Sequence, residues 1–195
     1  MTDADMTEPT GDNQNARYSE ALACIERQEH DEALALLDGL LCDEPRNPQA
    51  LYARALTLIA AGEYRKAGCS LLRSIVLDPG HVPSRSYLGF VQLTLGKEES
   101  ALSTLKAALE IDPGYVEAWC VLGDVYLDLG EYDDAKDAFM EALRLEPENP
   151  EPHRKMAMYL VSRGEMEKLR EVCERLGTLD PSMAEQIRTL FFDEQ

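Results

Sequence analysis

The chain has 195 residues, 45% of them hydrophobic and 7% aromatic, so its core must be built mainly of Leu, Ala, Ile, Val and Met. Thirty-seven acids against nineteen Lys and Arg leave a formal charge of -18, a field that repels phosphate backbones and anionic lipid and argues against nucleic acid or a membrane surface as partner. Charges break every apolar run well short of a bilayer span, and Met1-Thr2-Asp3-Ala4-Asp5 has neither the basic start nor the apolar stretch of a secretory signal. The five cysteines (24, 42, 69, 120 and 173) form no Cys-x-x-Cys pair, which suits free thiols in a reducing cytoplasm, the expected location.

Residues 1-13 carry four acids with Thr, Pro, Gly and Asn, and are expected to form a disordered acidic tail. Beyond them one period governs the chain. Pro45, Pro79, Pro113, Pro147 and Pro181 are each 34 residues apart. Gly62, Gly96, Gly130 and Gly164 keep the same period, as do Ala33, Ala67, Ala101 and Ala135, with Leu169 closing that series. A fourth ladder of small residues runs through Ala21, Ala55, Gly89, Gly123 and Ala157. Five repeats follow, at 14-47, 48-81, 82-115, 116-149 and 150-183.

The fourth repeat shows what one unit should be. Trp119, Leu122, Gly123 and Tyr126 fall on one face of a helix over 116-130. Gly130 ends that helix, and a second begins in which Ala135, Phe139, Ala142 and Leu143 point inward. Pro147 stops it, because proline has no N–H and clashes with the preceding turn. Each hairpin alone has too little face to bury, so stacking must supply the core. The expected fold is all-α, an array of antiparallel helix hairpins without strands.

The series Trp119, Leu122, Gly123, Tyr126, Ala135, Phe139, Ala142 and Pro147 resembles the tetratricopeptide repeat at its signature positions. The resemblance covers residues 14-183, most strongly 82-149, and implies a right-handed α-solenoid that binds peptides in a concave groove. Glu20 and Arg54 stand where Leu88 and Leu122 stand in their own repeats, Gln92 replaces the tyrosine of position 126, and Leu169 replaces a small residue. The small residues Ala21, Ala33, Ala55, Ala67, Gly89 and Ala101 are expected to mark helix crossings, where larger side chains would overpack.

The resemblance also assigns the groove side of each first helix. In chain order this places there Tyr18, Leu22 and Ile25, then Tyr52, Leu56 and Ile59, then Ser86, Phe90, Leu93 and Thr94. Repeat four adds Glu117, Cys120, Asp124, Leu127 and Asp128, and repeat five adds Arg154, Met158 and Val161. The surface reads as apolar first, then acidic, then basic. A protein or peptide partner with apolar anchors and basic residues would match it, although packing between repeats accounts for the same side chains. Arg154 is placed to pair with Asp124 across repeats.

A subclass of the resembled family clamps the C-terminal carboxylate of heat-shock chaperones through a Lys followed four residues later by Asn. The matching pairs Tyr18/Leu22, Tyr52/Leu56, Ser86/Phe90 and Cys120/Asp124 hold no such donors, so no clamp is expected. No phosphate-binding glycine loop, His-Glu-x-x-His or Cys/His cluster occurs. His153 stands at the tryptophan position of its repeat and is expected to pack there. Cys120 has an acid one turn away rather than a base, which is wrong for a nucleophile. No catalytic, cofactor-binding or metal-ligating residues are therefore nominated, and no enzyme activity is expected. The function expected is a protein-binding scaffold. Alternatives are a chaperone resembling those of bacterial secretion, or a self-associating assembly unit, with a homo-oligomer formed through a terminal repeat. Residues 184-195 place Ile187, Leu190 and Phe191 at helical spacing and should form a helix capping the last repeat.

Overall fold

The computed structural model describes residues 11–192, and their side chains from residue 15. Eleven α-helices and no strand occupy these residues: α1 Gly11–Glu26, α2 His30–Asp43, α3 Pro48–Ala60, α4 Tyr64–Leu77, α5 Val82–Thr94, α6 Glu98–Ile111, α7 Val116–Leu129, α8 Tyr132–Leu145, α9 Pro150–Arg163, α10 Met166–Leu179 and α11 Pro181–Phe191. The architecture is all-α and repeats a helix hairpin. The helices fall into two compact units, α1–α5 ending at Leu95 and α6–α11 starting at Gly96. In the first unit α2 packs on α1 and α3, and α4 packs on α3 and α5. In the second, α7 packs on α6 and α8, and α10 on α9 and α11.

The punctuation is physical. Gly62, Gly96, Gly130 and Gly164 take φ of 76°, 66°, 76° and 69° directly after the first helix of a pair. That left-handed conformation crowds any Cβ, so glycine ends these helices at little steric cost. Gln28 occupies the same point after α1 with φ 61° and is the one non-glycine with positive φ among the described residues. At the other end of each pair lie Pro45, Pro79, Pro113 and Pro147, all outside helices, whereas Pro181 starts α11. After Pro45, Pro79 and Pro147 the next helix is capped by a side chain, whereas α7, after Pro113, has Tyr115 at its N-cap and no side-chain cap. Asn47 accepts from the N–H of Ala50, His81 Nδ1 from Ser84 at 3.2 Å, and Asn149 from Glu151 at 3.0 Å.

The loop carbonyls have a partner with the same period. Trp119 Nε1–H donates to the Pro113 carbonyl at 2.8 Å. Arg85, in the preceding repeat, donates to the Pro79 carbonyl at 2.9 and 3.2 Å, and His153 Nε2 lies 2.9 Å from the Pro147 carbonyl. A carbonyl only accepts, so His153 carries a proton on Nε2. His153 is thus a loop-fastening donor rather than the packing residue expected from its register.

Small residues sit opposite large ones. Ala21 and Leu37, and Ala55 and Leu71, are buried in shared clusters, whereas the fifth repeat has two small residues, Ala157 and Cys173, at these positions. At the fourth crossing the pair is Gly123 and Phe139, and a Cβ built on Gly123 would collide with the Phe139 ring. Ala33, Ala67, Ala101, Leu122, Ala135 and Ala142 are buried as well.

Two boundaries differ from the sequence reading. The expected tail lies outside the described residues as far as residue 10, and α1 begins at Gly11, ahead of the repeat start at 14. The last helix starts at Pro181 rather than 184. Ala184 and Ile187 are buried against α10, with Phe191 and Phe192 partly so, while Leu190 is 72% exposed. At about 100° per residue, Leu190 lies roughly 100° from the centre of the Ala184–Ile187–Phe191 face, too far round to be covered.

Candidate functional site

In the first unit, α1, α3 and α5 repeat the same triplet of positions. Tyr18, Leu22 and Ile25 lie on α1, Tyr52, Leu56 and Ile59 on α3, and Ser86, Phe90 and Leu93 on α5. Ser86 is buried, Leu22 is exposed, and the other seven are half-buried. Their inner sides pack: Tyr18 and Ile25 on the α1–α3 core, and Tyr52, Ile59 and Phe90 on the α3–α5 core. The Tyr52 ring meets His81 edge-on at 4.9 Å and Tyr87 at 5.9 Å, and Phe90 meets Tyr64 at 6.4 Å. These rings are held by neighbours yet keep an outer side toward solvent, as a binding surface needs to be preorganised. Burial also pushes the Tyr18 hydroxyl above the usual tyrosine range.

The second unit handles the same positions differently. Cys120, expected to face the groove, is buried with Val116 and Ala142 and flanked by Trp119 and Leu145. Desolvation pushes its thiol up to about 12, so it is neither a surface contact nor a nucleophile at neutral pH. Leu127 and Tyr126 pack partly on the core of α8–α10. Asp124 is held by Lys155 of α9, and Lys155 also lies 3.9 Å from Glu151. Arg154 does not reach Asp124 as an ion-pair partner; its guanidinium pairs with Glu151 one turn back. Burial raises the Asp124 carboxyl above its ordinary range, with Lys155 pulling the other way. Glu117 and Asp128 remain exposed, and Met158 keeps 45% of its surface exposed. The acidic section expected to receive basic ligand residues is therefore partly neutralised from within.

Sequence reasoning places Lys155 with Arg154 in the basic last section but gives the pairing with Asp124 to Arg154. The register of Lys155 places it beside the nominated Arg154, and only the packing of α9 on α7 shows which of the two turns inward. The other repeats carry Ser19, Ala53, Tyr87 and Val121 at this position, so the ladder gives no hint of a charge there. A lysine does not announce its partner either, since its long side chain bends toward whichever acid lies near.

Among the described residues one group has metal-like spacing: Cys24, Glu29 and Glu32 bring a sulfur and two carboxylates within 4.8 Å. Arg27 donates to the Cys24 sulfur at 3.3 Å and pairs with Glu29 at 2.7 Å, so a guanidinium already sits where a cation would bind. Burial raises the Cys24 thiol, which disfavours the thiolate a metal needs. No described helix is long and apolar enough to cross a membrane.

Comparison with known proteins bears on the repeats. Family models described as tetratricopeptide repeat match residues 92–159 and 14–38, and one described as anaphase-promoting complex, cyclosome, subunit 3, matches 27–108. The chain carries several tandem tetratricopeptide repeats. No curated protein matches it in sequence. Among solved structures, the thermophilic TPR protein TTC0263 of Thermus thermophilus is similar at 24% identity, over 90% of this chain and 97% of that one, with a TM-score of 0.82. MamA of Desulfovibrio magneticus RS-1 is similar at 24% identity over 88% and 97%, with a TM-score of 0.71. YrrB, described as a TPR protein with an unusual peptide-binding site, is similar at 18% identity over 93% and 95%, with a TM-score of 0.63. These likenesses carry the fold.

Proposed function

We propose that this tetratricopeptide-repeat chain is a non-enzymatic protein-binding scaffold, and that the first helices of its first unit hold an extended or short helical segment of a partner. The observation that carries the reading is the triplet repeated on α1, α3 and α5, in which eight of nine side chains are aromatic or aliphatic and seven of the nine are half-buried. The peptide-binding site named for YrrB, on a similar fold, is in keeping with that reading.

Anchors on this surface should dominate affinity, because desolvated apolar contacts outweigh exposed ion pairs. The experiment is selection of displayed peptides on the full chain, then titration of the winners against Tyr52→Ala, Phe90→Ala and Asp128→Asn. Far-UV circular dichroism confirms that each variant is folded. The ring variants should weaken binding by about tenfold or more, and Asp128→Asn should chiefly lower the association rate and its salt dependence. Full binding by both ring variants would move recognition off this surface.

A further inference from the structure

The second helix of the second hairpin departs from every other second helix. Its outward positions are Arg65, Lys66, Cys69, Leu72, Arg73 and Val76, all exposed, and none is acidic. At the same six positions α2 carries Asp31, Glu32 and Asp38, and α8 carries Asp133, Asp134, Asp137 and Glu141. The corresponding faces of α6 and α10 carry two and three acids respectively, Glu99 and Glu110 on one and Glu167, Glu171 and Glu174 on the other. Repeat architecture places no packing demand on this face, so a solvated acidic surface would serve α4 as well as its counterparts. Three bases there, in a chain of net charge -18, are an exception that solubility does not explain.

The same face is apolar at its C-terminal end. Leu72 is 52% and Val76 78% exposed. With Leu77, Arg73 and the Pro45–Arg46 turn, they line a shallow depression of about 430 Å3. Arg73 is fixed against the rim by donating to the Pro45 carbonyl at 3.1 Å, and Lys66 is 3.3 Å from Glu63. Arg46 and Arg65 have no ion-pair or hydrogen-bond partner among the described residues. Arg46 lines the apolar strip, and Arg65 lies seven residues, about two helical turns, before Leu72 on the same exposed face. That arrangement is complementary to a helix with one carboxylate beside its apolar side chains and another about two turns away, and arginine is the cation suited to hold carboxylates bidentately.

We infer that the outward face of α4 is a second docking site, taking an acidic amphipathic segment of a partner protein with apolar residues in the Leu72–Val76 depression and carboxylates on Arg46 and Arg65. It is independent of the surface on α1, α3 and α5, which lies on the first helices. An acidic ligand approaching this face is drawn to the one second helix without like charge, so the rest of the chain, repelling it, narrows where it lands.

Random peptides of about sixteen residues, displayed and selected on the full chain, supply the probe; the recovered sequences are synthesised and titrated by fluorescence anisotropy. A class enriched in Asp and Glu with apolar residues at three- and four-residue spacing should be recovered. For this class Leu72→Asp and Val76→Asp should weaken binding by about tenfold or more, and Arg65→Glu with Arg46→Glu by severalfold with a shallower salt dependence, whereas Phe90→Ala should leave it unchanged. Both apolar positions are already in solvent, so these variants fold. Bound peptide should also slow alkylation of the exposed Cys69 and leave that of the exposed Cys42 alone. Recovery of no acidic class, or equal binding by the α4 variants, overturns the inference. Sedimentation showing a wild-type dimer that Val76→Asp converts to monomer also overturns it, by assigning the face to a second copy. Loss on Phe90→Ala but not on Leu72→Asp overturns it as well, and supports only the first-helix surface.

Discussion

The α3–α4 and α7–α8 hairpins are laid on one template and filled by different means. Each has a first helix that carries a small residue at the crossing, a glycine turn at positive φ and a second helix ended at a proline loop. In α3–α4 the crossing is Ala55 against Leu71; in α7–α8 it is Gly123 against Phe139. Volume is conserved while its division between the partners changes, as close packing requires. Polar burial differs too. The first unit buries Thr57, Ser70, Ser74, Ser84 and Ser86: Thr57 donates to the Ala53 carbonyl one turn back at 2.9 Å, Ser74 donates to the Pro48 carbonyl of α3 at 3.1 Å, and Ser70 accepts from Arg54 at 3.0 Å. The second unit has no polar residue in that fully buried class among those described, and instead tucks the Lys155–Asp124 pair between α9 and α7. A repeat constrains where helices lie and where they stop. What fills the crossings and what covers the outer faces is left to each copy, and there function can diverge.

The sharpest way to test the shared template is to exchange fillings. Gly123→Ala should destabilise by about 1–3 kcal/mol, since its Cβ would fall on a fully buried ring. Phe139→Leu alone should also destabilise, by leaving space beside Gly123. The double variant recreates the Ala/Leu pairing of α3–α4 and should be more stable than the two single effects predict when added. Urea midpoints of the four proteins give the coupling directly. Strict additivity would mean that the two crossings are not interchangeable and that the comparison fails.

The polar difference gives the next effect. Lys155→Met should leave Asp124 unpaired and cost about 1–2 kcal/mol, moderated by the solvent contact both side chains retain. Asp124→Asn sharpens the point through pH. Burial raises the folded-state pKa of Asp124, so this group contributes stability that is present below the ordinary carboxylate range and lost as pH rises through its folded value. Wild-type stability relative to Asp124→Asn should therefore fall as pH rises through that window. A relative gain with rising pH would show that attraction to Lys155 outweighs desolvation.

How much of this was legible in the sequence depends on whether a residue acts through its own backbone or through a neighbour. Prolines that stop helices and glycines that turn chains impose their effect locally, so Pro79 and Gly130 mark boundaries wherever they stand. Small residues at constant period likewise point to crossings. The outer faces were harder. Cys120 and Asp124 share a nominated side of α7, one turn apart, yet Cys120 is sealed against Val116 and Ala142 while Asp124 meets a lysine from α9. Rotation about a helix axis cannot distinguish them, because depth is decided by which residues the adjoining helix brings. The loop-fastening donors illustrate a readable signal that was overlooked. Arg85, Trp119 and His153 look unrelated, but each carries a side-chain N–H six residues after its loop proline.

The smallest effect concerns the turn where the first hairpin breaks the glycine rule. Gln28 has φ 61°, in register with four glycines, and a side chain with a Cβ is strained in that region. Its backbone N–H still donates to the Ile25 carbonyl at 3.0 Å, and Glu29 N–H to the Cys24 carbonyl at 2.9 Å, so the turn closes as its counterparts do. Gln28→Gly should then relieve strain without removing either bond. The relief, about 1 kcal/mol, exceeds the extra unfolded-state entropy that glycine introduces, and a net stabilisation of about 0.5 kcal/mol is expected. Gly130→Gln in the second unit should do the reverse, destabilising by a similar or larger amount. Matched urea melts of the two variants test the pair. A neutral result at residue 28 with a clear loss at residue 130 would mean that the first turn relaxes around its side chain, and that the template is held less tightly there than at α7–α8.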